Sequence, residues 1–178
     1  SMHDPTITQL SLVRQLKFCA GHRLYRHESR CAFFHGHNYR VDLEVVGAHG
    51  GVEVDDVGRI IDFSLIKQRM LGWLDDHWDH AFLIYEEDEN ALAAIKLVEP
   101  VKYFVMPTNP TAENMARYLL EVVAPHVLSD LGVVARQICL WETAESCAVA
   151  TLGQQQRTIA PDPPREAVIL DSRNMVQA

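Results

Sequence analysis

Three histidines near the start of the chain have the spacing of a metal site. His35 and His37 flank Gly36 at the start of an alternating segment, residues 38–46, that predicts a β-strand. Residues two apart in a strand point to the same face, so both imidazoles can reach one ion. His22 ends a second strand-like segment and shares the parity of its apolar residues. Three histidines with an open fourth position are typical of catalytic zinc, so we predict Zn²⁺ on His22, His35 and His37.

Cys31 is the candidate reactive thiol, because it lies four residues before His35 in a basic segment. The charges of Arg23, Arg26 and Arg30, together with a nearby metal, would favour the reactive thiolate. The same cations form a local cluster that could attract an anionic small molecule. Two alternatives stay open: Cys31 is a small core residue, or it closes the metal site as a fourth ligand in a protein that is not an enzyme.

Two Asp-His dipeptides are candidates for acid–base chemistry. Asp76-His77 and Asp79-His80 both place a carboxylate beside an imidazole, which can orient the ring and stabilise its protonated form. The alternative for each pair is a solvated helix end, where a cationic side chain is common. Residue types and spacing do not choose between the two pairs.

Glu142 is a carboxylate on an otherwise apolar strand face. It shares the parity of Ile138 and Leu140, and burying a carboxylate is costly unless it is paired. One suitable partner is the pair of adjacent N–H donors on a purine or pterin ring, which match the two oxygens of one carboxylate. The alternative is a glutamate that faces water at the end of a strand.

Composition limits the class of protein. The 178 residues are 48% hydrophobic, which suits one domain, residues 1–153, with a polar, proline-bearing and loosely held extension over 154–178. We expect no membrane span, because no apolar run is long enough. A net charge of −8 argues against a nucleic-acid partner. Four cysteines without dense spacing favour a reduced, cytoplasmic setting.

Strand patterns dominate the first third of the chain. Apolar residues alternate along residues 7–22 and 37–46, and a short return strand is predicted at 59–61. Asp62 can then cap a helix over 63–77, where apolar residues recur at helical spacing.

The remaining segments complete an α+β order. Residues 80–106 give a mixed pattern with a short helix near 90–97, and Pro110 begins a helix that Pro125 should kink or end. Two strands follow near 133–142 and 146–152. The order predicts an antiparallel four-stranded sheet with two helices on one face.

Six motifs within residues 10–151 together resemble the 6-pyruvoyltetrahydropterin synthase family, whose bacterial branch makes 6-carboxytetrahydropterin for queuosine biosynthesis. They are residues 18–24 (FCAGHRL), 31–37 (CAFFHGH), 58–63 (GRIIDF) with Lys67, 79–83 (DHAFL), 110–114 (PTAEN) and 142–143 (ET). Several separate motifs are more specific than any one of them. Ile84, Ala150 and the residues beyond Gly153 depart from the family's pattern.

The resemblance implies the tunnelling fold, in which the sheets of neighbouring protomers join into a barrel. Two such trimers form a hexamer with active sites between subunits. The resemblance also implies residue roles. Zinc is held by the three histidines, Cys31 abstracts a proton, the Asp79–His80 pair serves acid–base transfer in preference to the other dipeptide, and Glu142 anchors the pterin with help near Thr111.

The implied reaction converts dihydroneopterin triphosphate to 6-carboxytetrahydropterin, acetaldehyde and triphosphate. The compact Cys-x-x-x-His-Gly-His spacing favours this branch. The first alternative is the 6-pyruvoyl product, formed by triphosphate elimination in a tetrahydrobiopterin-type pathway. The second is a zinc-hydroxide hydrolase, in which the three histidines only activate water.

Overall fold

A seven-stranded mixed sheet organises the chain, and the computed structural model describes it through residues 6–153 and 162–173. The strands pair in the order β6–β5–β2–β1–β3–β4–β7. Their bounds are β1 Ser11–His22, β2 His35–Gly47, β3 Ala81–Tyr85, β4 Val101–Met106, β5 Val133–Thr143, β6 Ser146–Thr151 and β7 Val168–Leu170. Within the described residues, no helix is long and apolar enough to cross a membrane.

The antiparallel pair β1–β2 is the longest ladder of the sheet and confirms the first two predicted strands. Its register runs from Ser11 opposite Val46 to His22 opposite His35. Alternation places every second side chain of both strands in the core, including Leu16, Phe18, Tyr39, Val41 and Leu43. The opposite face stays open, so β1 and β2 present one buried surface to the helices.

The helices confirm the predicted cap at Asp62 and the helical spacing of the apolar residues that follow it. Helix α1 spans Phe63–His77, and the Asp62 carboxylate accepts from Ser64 N at 2.8 Å. Helix α2 spans Glu89–Lys96, close to the predicted 90–97. Helix α3, Ala112–Tyr118, continues through a π-helical turn, Leu119–Val123, into a last turn α4, Ala124–Val127.

Pro125 does not end at once the helix that was predicted to begin at Pro110. It lies in the first turn of α4, directly after the wide π-helical turn, and the helix ends two residues later. The π-helical turn changes the backbone hydrogen-bond pattern just before Pro125, which has no N–H to donate to the preceding turn.

The sheet is wider than the predicted four strands and is mixed rather than antiparallel. Strands β6, β5, β2 and β1 form the expected antiparallel part, whereas β3 pairs with β1 and β4 with β3 in parallel. Both parallel strands are short apolar runs buried with little alternation, so they carry no period-2 signal. Joining of sheets into a barrel by oligomerisation stays a prediction.

The predicted strand at residues 59–61 is wrong. Asp55 organises a turn there: its Oδ1 accepts from Val57 N at 2.9 Å and from Arg59 N at 3.0 Å. Asp55 N also donates to Arg59 O. The backbone groups of Arg59 are therefore used within the turn and are not available to a neighbouring strand.

The prediction of a loosely held extension beyond residue 153 is wrong for residues 162–173. β7 pairs antiparallel with β4 at the edge of the sheet. Arg165 N donates to the Tyr118 hydroxyl at 2.8 Å, and Ala167 N donates to His77 Nδ1 at 3.0 Å. Residues 154–161 and 174–178 lie outside the described residues, and the division of the chain at residue 153 stays a prediction.

Two glycines give opposite expectations for stability. A Cβ on Gly36 would lie 2.9 Å from the Ala20 carbonyl oxygen, which belongs to the backbone of β1 and cannot rotate away. We expect Gly36→Ala to lower the free energy of unfolding by about 1–3 kcal/mol. A Cβ on Gly72, inside α1, would have no neighbour within 4 Å. Gly72→Ala should therefore raise the free energy of unfolding by about 0.5–1 kcal/mol. Denaturant unfolding measures both, and a neutral Gly36→Ala would contradict the close approach.

Candidate active site

The structure brings His22, His35 and His37 together at one end of the β1–β2 ladder. His22 lies opposite His35, and His37 lies opposite Ala20, two residue pairs further along the ladder. The Nε2 atoms of His22 and His35 are 3.0 Å apart, and one ligand atom from each of the three rings lies within 4.8 Å of the others. The predicted clustering of these side chains is confirmed.

Hydrogen bonds to backbone carbonyls fix two of the three rings. His22 Nδ1 donates to Pro110 O at 2.8 Å, and His35 Nδ1 donates to Phe33 O at 2.7 Å. A carbonyl only accepts, so each Nδ1 carries the hydrogen and each Nε2 carries a lone pair. Two lone pairs facing each other at 3.0 Å repel, and the buried His37 Nε2 has no hydrogen-bond partner among the described residues. A metal ion would satisfy all three nitrogens, so the donor set fits a metal.

Burial favours the neutral form of His22 and His37, which metal ligation requires. His22 is 0% exposed, and burial lowers its pKa to about 4. Burial also lowers the pKa of His37, although the nearby Glu142 carboxylate acts in the opposite direction. These rings therefore lose no proton when a cation binds near neutral pH.

Glu142 lies against the histidines rather than on a separate surface. Its predicted parity is confirmed, since Ile138 and Leu140 on the same face are fully buried. A β-bulge between Trp141 and Thr143 interrupts the pairing of β5 with β6 at this residue. Glu142 Oε1 lies 3.5 Å from Nε2 of both His22 and His37. Its side chain is 30% exposed, so the carboxylate faces the cluster and solvent together.

Tyr39 forms the floor beneath the cluster. Its hydroxyl lies 3.4 Å from His22 Nδ1, and its ring stacks on Phe18 with 4.9 Å between centroids. Burial, assisted by the negative charge of Glu142, raises the pKa of Tyr39 well above its usual value. The hydroxyl therefore stays protonated in the metal-free protein.

The structure gives the two Asp-His pairs different environments. Asp79 Oδ2 accepts from His80 Nδ1 at 2.9 Å, and the His80 side chain is 79% exposed. His77 instead accepts from Ala167 N, so it holds the C-terminal segment. Asp79 and His80 are further tied to β1, because Asp79 Oδ1 accepts from Cys19 N at 2.9 Å and His80 N donates to Cys19 O at 2.7 Å.

A cavity of about 600 Å³ lies between the histidine cluster and His80. His80, His35 and His37 all contribute to its lining, with Gly21 and Phe82 between them. A Cβ on Gly21 would lie 2.7 Å from the Phe82 ring, so glycine is needed for that ring to cover β1. An imidazole paired with a carboxylate thus lines the same cavity as two of the three clustered histidines.

Cys31 lies in a 3₁₀ turn, Arg30–Ala32, on the loop between β1 and β2. Its side chain is half-buried, and its carbonyl accepts from Leu24 N at 2.8 Å. The Asn109 side chain holds the same loop, accepting from Tyr25 N and donating to Tyr25 O at 2.9 Å each. The role of Cys31 as a proton-abstracting thiolate stays a prediction.

The three arginines before Cys31 do not form one free cationic cluster. Arg23 donates to both carboxylate oxygens of Asp88, which is 1% exposed, and its guanidinium lies 5.6 Å from the centroid of the Phe34 ring. Arg26 and Arg30 are exposed. An anionic ligand would therefore meet Arg26 and Arg30 rather than Arg23.

Thr111 is the N-cap of α3, and its hydroxyl accepts from Asn114 N at 3.1 Å. It directly follows Pro110, whose carbonyl orients His22. Sequence reasoning missed the roles of Pro110 O, Phe33 O and the Asn109 clamp. The Asn-Pro turn signal could have drawn attention to Asn109, but a carbonyl that orients a distant ring leaves no pattern in the sequence.

Comparison with known proteins gives consistent matches. The family model described as 6-pyruvoyl tetrahydropterin synthase matches residues 11–152. A protein of Rickettsia conorii named 6-carboxy-5,6,7,8-tetrahydropterin synthase is 31% identical over 75% of this chain and 94% of its own length. A protein of the same name from Rickettsia typhi is 31% identical over 79% of this chain and 98% of its own length.

A solved structure supports the same fold. The 6-pyruvoyl tetrahydropterin synthase of Caenorhabditis elegans superposes with a TM-score of 0.57 at 23% identity, covering 83% of this chain and all of that one.

We expect His35→Ala to remove bound metal almost completely. The substitution deletes one of three imidazoles whose nitrogens converge. The Glu142 carboxylate lies 3.5 Å from Nε2 of His22 and His37 but is not a member of the cluster that includes His35. Elemental analysis of the purified variant measures the loss. His77→Ala is the matched control, because it removes a half-buried imidazole that bonds to Ala167 and should leave the metal content unchanged. Stoichiometric metal in His35→Ala would reject the assignment.

The metal-free protein should become less stable as the pH falls from about 6.5 towards 4. The unfolded chain binds a proton at His22 in this range while the folded chain does not, so the free energy of unfolding drops by about 3 kcal/mol and levels off below the folded pKa. Urea unfolding at a series of pH values measures the slope. His22→Gln should flatten it, whereas substitution of the exposed His126 by Gln should not.

Proposed function

The chain belongs to the 6-pyruvoyl tetrahydropterin synthase family, and from that premise we propose that it is a zinc-dependent 6-carboxytetrahydropterin synthase. The substrate would be dihydroneopterin triphosphate, and the products 6-carboxytetrahydropterin, acetaldehyde and triphosphate. The observation that carries the proposal is that His35 and His37 of the histidine cluster line one cavity together with His80, the partner of Asp79. The names of the Rickettsia relatives favour the carboxy product over the pyruvoyl one.

Zinc suits the donor set, because three imidazole nitrogens with an open position are typical of catalytic zinc. His22, His35 and His37 would hold it through their Nε2 atoms. Bound there, it would supply Lewis acidity to the side-chain oxygens of the substrate and so acidify the adjacent C–H groups.

Two groups of this chain would move protons. Cys31, as a thiolate, would abstract a proton from the substrate side chain. His80 would transfer a second proton through Nε2, because its Nδ1–H is engaged by Asp79 Oδ2 at 2.9 Å. Asp79 would keep the ring in that tautomer and stabilise the imidazolium when it forms. No nicotinamide is needed, since the pterin is reduced by internal redox of its own side chain.

Glu142 and Thr111 would bind the pterin. The Glu142 carboxylate is partly exposed beside the cluster and can accept two ring N–H groups, which places the side chain of the substrate near the metal. The Thr111 hydroxyl already accepts from Asn114 N, so its own hydrogen is free to donate to a ligand.

We also propose a cytoplasmic homohexamer of two trimers, acting in the queuosine pathway without a nucleic-acid or membrane partner. β6 lies at the edge of the sheet, and a row of unpaired backbone groups at an edge is a template for pairing with another chain. All four cysteines are free, which agrees with a reducing compartment.

Product analysis tests the proposed function. Mass spectrometry of the zinc-loaded protein with dihydroneopterin triphosphate should show 6-carboxytetrahydropterin and acetaldehyde. Cys31→Ala should keep its zinc and lose turnover, because the thiol acts on carbon rather than on the metal. A 6-pyruvoyl product would assign the other branch, and hydrolysed phosphate with an unchanged pterin skeleton would assign a zinc hydrolase. Zinc loss in Cys31→Ala would make Cys31 a ligand instead.

A further inference from the structure

The turn that carries His80 is held by a cation that no sequence motif includes. Lys102, on β4, donates from Nζ to the Asp79 carbonyl at 2.8 Å and to the Asp75 carbonyl at 2.7 Å. Asp75 lies in the last turn of α1, so the ammonium group joins the C-terminus of that helix to the peptide just before His80. A cation is favourable at this position because helix C-terminal carbonyls carry partial negative charge.

His80 needs such support because its backbone is strained. Its φ is 60°, in the left-handed region that a residue with a Cβ rarely adopts. Such conformations cost of order 1–3 kcal/mol and persist only when surrounding bonds over-determine them. The Cys19 backbone supplies two of these bonds, to Asp79 Oδ1 and from His80 N. Asp79 N and Ala81 N donate to the backbone carbonyls of Leu74 and Trp78. Lys102 adds a side-chain contact on the carbonyl that links Asp79 to His80.

Electrostatics add a second contribution from the same side chain. Burial alone would raise the pKa of Asp79, but hydrogen bonds from Cys19 N and His80, with the nearby positive charges of His80 and Lys102, hold it below its usual value. Burial lowers the pKa of Lys102, and the carboxylates of Asp75, Asp76 and Asp79 oppose that change. The cation and the carboxylates thus support each other's charged forms.

The sheet makes Lys102 a rigid support. Its strand, β4, lies between β3 and β7, and Lys102 itself is opposite Ile169 of β7. The neighbouring Tyr103 and Phe104 are buried. The ammonium group therefore approaches the turn from a backbone paired on both sides.

We propose that Lys102 is a positioning residue for the Asp79–His80 pair, holding the turn in the left-handed conformation that presents His80 to the cavity. The proposal rests on the acid–base role given to His80 under the proposed function. Lys102 also contributes to the lining of the cavity, and its proposed role is exerted through the Asp79 carbonyl.

Kinetics of Lys102→Met test the proposal, because methionine keeps the apolar stem and removes the ammonium. We expect kcat to fall about ten- to a hundredfold through misplacement of His80, with KM and zinc content unchanged. Lys102→Arg should recover much of the loss, since a guanidinium can still donate to both carbonyls. Lys96→Met is the matched control, because Lys96 is exposed at the end of α2 and should leave kcat unaltered.

Amide hydrogen exchange provides a measurement that needs no substrate. In Lys102→Met, exchange should accelerate in residues 78–82 while the β1–β2 ladder remains protected. Unchanged kcat and unchanged exchange would overturn the proposal. Loss of zinc, or faster exchange throughout the chain, would also overturn it by assigning Lys102 a general structural role. If the wild type does not convert the triphosphate, the proposed function fails, and the exchange result still decides whether Lys102 holds the turn.

Discussion

The pairing register of β1 with β2 is the constraint on which the site depends. It sets His22 opposite His35 and brings His37 onto the same face. A shift of one residue would move every side chain of one strand to the other face. Such a shift would separate the histidines and would expose core residues at the same time. The apolar residues of both strands therefore stabilise the arrangement of the histidine cluster, since any register that separates the histidines also exposes residues such as Val41 and Leu43, which are fully buried.

The elements around this ladder contribute through backbone groups as much as through side chains. Pro110 and Phe33 offer carbonyls that select the tautomers of His22 and His35, and Cys19 ties Asp79 and His80 to β1. Such contacts come from loops and strand ends held by a paired sheet, so the scaffold can present reactive groups at fixed positions. The lone pairs that would bind a metal are thus oriented before any metal arrives.

Sequence reasoning predicted the long amphipathic elements well and the short buried ones poorly. The period of the apolar residues in β1, β2 and α1 revealed them, because each has one face in the core and one in solvent. β3 and β4 were not predicted as strands, since parallel strands covered on both faces do not alternate. A turn at Asp55 takes the place of a predicted strand, because the Asp55 carboxylate accepts a hydrogen bond from the Arg59 backbone N–H.

Residue types, parity and motif spacing by themselves determined the family resemblance, the histidine triad and the face on which Glu142 lies. Only the tertiary structure decided which segments hold the two Asp-His pairs, because their dipeptides are alike and their partners are remote in sequence: Ala167 for one, and Cys19 with Lys102 for the other. The tertiary structure also decided the environment of Arg23, because this side chain pairs with Asp88 and so does not belong to a free cationic cluster. Local sequence patterns indicate the local backbone conformation, whereas the environment of a side chain depends on segments that only folding brings near it.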